Sequence, residues 1–70
     1  MASTIKWAYA NGSNWVILDN QAQDNIERLW ASNSSNWINS QMFRKPVYVD
    51  IPHMMLLCDG VSYSIARYRA

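Results

Sequence analysis

The chain has 70 residues, with six basic and five acidic side chains and a net charge of +1. So even a balance lacks the basic stripe of a protein that coats nucleic acid, so no DNA partner is expected. One cysteine (Cys58) and one histidine (His53) exclude an internal disulfide and a conventional structural zinc site. No apolar run approaches the ~18 residues of a membrane span, no signal-peptide core is visible, and a lone thiol fits a reducing compartment. The expectation is one intracellular domain, in nucleus or cytoplasm, spanning residues 1–70, monomeric in isolation, with 1–4 and 69–70 loose. Four Trp, four Tyr and one Phe are a large aromatic supply for it. A chain of this length buries only about 60% of its unfolded surface, so the core has first claim on those rings.

Thr4 to Tyr9 alternates large and small and reads as a strand with Ile5, Trp7 and Tyr9 on one face. Asn11-Gly12 supplies a tight turn, and Asn14 to Leu18 returns as a second strand with Trp15 and Ile17 expected inward. The period then changes. Ala22, Ile26, Leu29 and Trp30 recur at helical spacing, which predicts a helix from about Gln21 to Ala31. Asp19 or Asn20 can cap it, and Asn20 with Gln23 has capping-box spacing.

Ser32 to Ser40 is polar and reads as a loop, with Trp37-Ile38 either a short edge strand or a pair tucked under the helix. Pro46 to Ile51 is a strand with Val47, Val49 and Ile51 on one side. His53–Cys58 and Val61–Tyr68 form a second hairpin around Asp59-Gly60. A tight turn there sets Cys58 opposite Val61, Leu56 opposite Tyr63 and Met54 opposite Ile65. One helix against a curved, mostly antiparallel sheet, an α+β half-barrel, is the economical architecture.

No catalytic arrangement stands out, and no catalytic, metal or cofactor residue is assigned. His53 stands at a strand start, where a surface imidazole is ordinary. Cys58 has no cationic sequence neighbour to lower its pKa. Both glycines belong to turns, so no phosphate loop exists. An enzyme is not expected. Binding remains: the open end of a half-barrel suits a small ligand. Tyr9, Trp15, Tyr48, Tyr63 and Tyr68 are rings that can stack on a base or ribose, and Arg67, Arg69, Arg44 or Lys45 can hold a phosphate. The competing account packs these rings in the core and leaves the arginines solvated.

Several motifs in order bring one family into view. Trp7 and Trp15 with Ile26-Glu27, then Val49-Asp50-Ile51 before Met54, then Tyr63-Ser64-Ile65-Ala66-Arg67, together resemble a WWE domain. The resemblance covers nearly the whole chain and implies a half-barrel of antiparallel strands against one helix. It also implies a module of ubiquitin ligases or ADP-ribosyltransferases that binds iso-ADP-ribose, poly(ADP-ribose) or terminal ADP-ribose, or else mediates protein contacts. Carried over, Trp15 matches a ligand-binding tryptophan, and Tyr9 and Arg67 match positions near that pocket; with Tyr63 they form the candidate ligand set. Four positions depart from the polymer-reading pattern. Ala8 and Val47 stand where aromatics are expected, Leu56 replaces a glutamine, and Tyr63 replaces a basic residue. Two readings follow: an ADP-ribose-type ligand or an ADP-ribosylated protein is bound, or the fold serves protein contact alone, through Met55, Leu57 and Trp37.

Overall fold

The structure is a computed structural model that describes residues 4–69. Six strands and one helix follow in the order β1 (Ile5–Asn11), β2 (Asn14–Ile17), α1 (Asn20–Ser32), β3 (Ser35–Ser40), β4 (Lys45–Asp50), β5 (Met55–Cys58) and β6 (Val61–Arg69). A 3-10 turn, Ile51–His53, links β4 to β5. Every strand pairing is antiparallel, in the order β2-β1-β6-β5-β4-β3, and the sheet is open. Helix α1 packs against both β1 and β3, which lie four places apart in that order. One helix reaches both only because the sheet curls around it. This is the α+β architecture expected, with the core on the concave side: Trp7, Leu18, Ala22, Ile26, Ile38, Val47, Val49, Ile51, Leu56 and Ile65.

The second hairpin follows its turn. Asp59 and Gly60 both take positive φ (51° and 76°), the geometry of a type I′ turn. Cys58 then faces Val61 and Leu56 faces Tyr63, as expected. The ladder ends at Met55 and Ser64. Met54 turns left-handed (φ 50°), although the Ile65 N–H still donates to its carbonyl at 3.1 Å.

The first hairpin corrects one expectation. Trp15 and Ile17 do not face inward: they are 57% and 42% exposed, on the outer side of the sheet. The turn residues are Gly12 and Ser13, and Asn11 pairs with Asn14. A two-residue turn makes the numbers of paired residues sum to an odd value. Odd-numbered Trp7 therefore pairs with an even-numbered residue, and odd-numbered Trp15 takes the opposite face, beside Ala10 and Ala8. Inward packing of both indoles needs an odd-length turn, which this hairpin lacks.

Other boundaries shift for identifiable reasons. The helix is capped by Asp19, whose carboxylate accepts the Ala22 N–H at 3.2 Å, so the Asn20–Gln23 capping box does not form. Asn33 ends the helix in a left-handed conformation (φ 49°), its N–H bonded to the Leu29 and Trp30 carbonyls. The segment expected to be a loop from Ser32 to Ser40 contains β3, a full edge strand paired with β4 from Ser35 to Ser40. Arg69, expected loose, belongs to β6 opposite Ile5, whereas residues 1–3 and 70 lie outside the described range. No helix among the described residues is long and apolar enough to cross a membrane.

Candidate functional site

Gln23 ties the helix to the sheet on the concave side. It is buried, and its amide behaves as one residue of a missing strand. Its Oε1 accepts the Trp7 N–H at 2.6 Å, and its Nε2 donates to the carbonyls of Trp7 (2.7 Å) and Leu18 (3.1 Å). The helix is thereby fastened to the end of the β1–β2 ladder. Trp7 is 1% exposed, and its indole Nε1–H donates to Glu27 at 2.8 Å. Glu27 also receives both forks of Arg67, at 3.0 Å and 2.6 Å, while the guanidinium lies 5.0 Å over the Trp30 ring. The Arg67 hydrogen bond, with the Trp7 indole assisting against partial burial, holds the Glu27 carboxyl below its ordinary range. Arg67 is correspondingly harder to deprotonate.

At the other end of the concave face three rings meet. Tyr9 and Tyr63 approach edge-to-face at 5.3 Å between centroids, and Phe43 completes the triangle at 5.1 Å and 5.9 Å. Phe43 is delivered by the turn after β3, where Arg44 adopts a positive φ of 60°. Asp19 holds that turn: it accepts the Ser40 hydroxyl at 2.5 Å, the Gln41 N–H at 3.1 Å and the Met42 N–H at 3.4 Å. Burial raises its pKa most, but these bonds and the Ala22 N–H together outweigh burial and lower it. Three mutually packed, half-buried rings thus stand where stacking on a base was expected of Tyr9 and Tyr63.

The outer face is different. Ala8 sits directly opposite Ala66 across the β1–β6 ladder and opposite Ile17 across the β1–β2 ladder. Two alanines side by side leave a depression, walled by Trp15 and Ile17 on β2 and by Tyr68 on β6, of about 390 Å³. Its lining is almost wholly apolar, and Tyr68 is 40% exposed. Lys6, paired with Tyr68, is a cation on the same face.

Two of the candidate residues, Tyr9 and Tyr63, are thus brought together, with Phe43 packed against both. Arg67 is on the same concave face but bound to Glu27, and Trp15 stands on the opposite face. The four do not line one pocket. Of the four positions of departure, Ala8 joins Trp15 in the outer groove, Val47 and Leu56 are fully buried in the core, and Tyr63 packs against Tyr9 and Phe43. Among the other phosphate candidates, Lys45 pairs with Asp59, whose hydrogen bond raises the pKa of the amine. His53 sits against Asp50 at 2.8 Å; a Ser35 hydroxyl bond first, and the imidazole second, lowers the pKa of that carboxyl. Sequence reasoning passed over Phe43 and the tasks of Gln23 and Glu27. The odd sum imposed by a two-residue turn was the available signal for the outer groove.

Comparison with known proteins gives no match: no family model fits the chain, and no curated protein or solved structure is significantly similar to it.

Proposed function

We propose that this chain is a non-enzymatic binding module that works through the outer face of β1, β2 and β6, and that its partner is a protein segment. One observation carries the reading: large apolar side chains stand exposed around an alanine floor, while Gln23, Glu27 and Arg67 on the concave side already have internal partners. Exposing Trp15, Ile17 and Tyr68 together gives up burial that a 70-residue domain can ill spare, and contiguous apolar surface of this kind marks contact sites. The groove supplies stacking and aliphatic contact but few hydrogen-bond donors, which suits an apolar side chain better than a pyrophosphate. Selection of displayed peptides on the full chain tests this. Peptides should enrich and lose binding at least tenfold when Trp15→Ser is introduced in a folded variant. Enrichment indifferent to Trp15 and Tyr68, or no enrichment, overturns it.

A second reading, an ADP-ribose-type ligand, is supported by Trp15 and Ala8 lining one groove, two positions that the WWE resemblance places near a ligand. Its base would lie against Trp15, with Lys6 as a countercharge to phosphate. ADP-ribose, iso-ADP-ribose and ATP titrated into the labelled chain decide between the two. No shift at millimolar ligand is expected; saturable shifts at the Trp15 indole would put the nucleotide reading first.

A further inference from the structure

We infer that β2 is the docking edge, and that the partner adds to it as an extended seventh strand. This rests on the protein-contact reading above and names the partner's conformation. The Leu18 N–H donates to the Trp7 carbonyl at 3.0 Å, which fixes the alternation of the β1–β2 ladder. Leu18, Val16 and Asn14 turn their backbone groups to β1, so Trp15 and Ile17 turn theirs to the open side. Two N–H and two C=O groups thus form a template on the edge strand that is unoccupied among the described residues.

The other sheet edge is built differently. There the outward Trp37 N–H is taken at 2.8 Å by the Asn36 side chain, so the central donor of the β3 edge is already occupied even though Trp37 is 63% exposed. On β2 no side chain does this among the described residues. The side chains flanking the β2 template, Trp15 and Ile17, offer apolar contact to alternate residues of an incoming strand.

Charge and area select the occupant. No carboxylate lies on the outer face of β1, β2 or β6, and Lys6 stands just past the Ile17 end of β2 without an acidic partner among the described residues. An acidic residue at that end of the added strand fits. The exposed parts of Trp15, Ile17 and Tyr68 amount to roughly 300 Å², well short of the ~800 Å² per partner of a stable dimer. A second copy is therefore disfavoured, and a short acidic peptide with alternating apolar residues is the partner assigned.

The probe is a seven-residue synthetic peptide, acetylated and amidated, with valine at alternate positions and glutamate at both ends, added to the full chain. Hydrogen exchange at the Trp15 and Ile17 amides should slow at least tenfold, with the β3 amides unchanged. N-methylation of the peptide nitrogens that face β2 should weaken binding at least tenfold, as should replacing both glutamates by lysine. Equal binding of the N-methylated peptide, still sensitive to Trp15→Ser, overturns strand addition and leaves the protein-contact reading standing. Absence of protection with the probe, alongside Trp15-dependent peptides from selection, does the same; failure of the selection itself removes the reading beneath both. Dimerisation through β2 at millimolar chain, seen by sedimentation, overturns the assigned occupant.

Discussion

Gln23→Met is the sharpest test of how helix and hairpin are joined. Methionine keeps the length and apolar stem of glutamine but removes the three hydrogen bonds to Trp7 and Leu18. The Trp7 carbonyl retains the Leu18 N–H, so its loss is small. The Trp7 N–H has no other partner and is buried, and an orphaned buried donor costs about 1–3 kcal/mol. The Leu18 carbonyl adds about 1 kcal/mol, for a total of roughly 2–4 kcal/mol. A 70-residue domain has a total stability of about 4–10 kcal/mol, so the change consumes a large share of it. In urea the midpoint should fall by about 2 M or more at an unchanged slope, followed by far-UV circular dichroism. Gln23→Glu sharpens the result. Ionised, its carboxylate faces the carbonyls that the amide now donates to; protonated, it can donate to one of them. Its folded pKa is therefore raised, so this variant's deficit should shrink as pH falls and grow as pH rises through that value. A Gln23→Met variant within 0.5 kcal/mol of the parent would refute the clamp.

Three further outcomes are expected. Asp19, Glu27 and Asp50 all have lowered pKa values, so their contribution is fully present above the ordinary carboxylate range and is lost as pH falls through the depressed values; acid titration of the unfolding midpoint should show stability declining steadily below about pH 4, opposite in sign to Gln23→Glu relative to its parent. Glu27→Gln and Arg67→Ala should each lower Tm, and the double variant should lose less than the two combined, since both break one shared contact; additivity in calorimetry would mean that the pair is not coupled. Gly60→Ala forces a Cβ into φ 76° in open space, so the cost is conformational only, about 1–2 kcal/mol by urea titration.

The elements legible in the sequence were those with a strong local signal: the helix, the strand around Val47 and Val49, and the Asp59-Gly60 hairpin with its register. What was not legible depends on partners distant in sequence. β3 looks like a polar loop because its stability comes from pairing with β4 and from packing against α1, not from the alternation of SNWINS. Gln23 looks like a capping residue because its true partners, Trp7 and Leu18, meet it only after the sheet curls. Trp15 looks like core because large rings usually are, and the parity of the turn, which decides otherwise, outranks composition.

That parity also separates the two indoles of the first hairpin. Trp7 and Trp15 are eight residues apart and chemically alike, yet one turn sends them to opposite sides of the same sheet. The inner indole is locked by Glu27, Arg67 and Trp30, and changing it disturbs the fold. The outer indole is 57% exposed over Ala8 and Ala66, so Trp15→Ser should lower the urea midpoint by less than truncation of the buried Trp7. A ring that stands mostly in solvent is available to a partner, and the open backbone edge beside it is the kind of template a partner strand can extend.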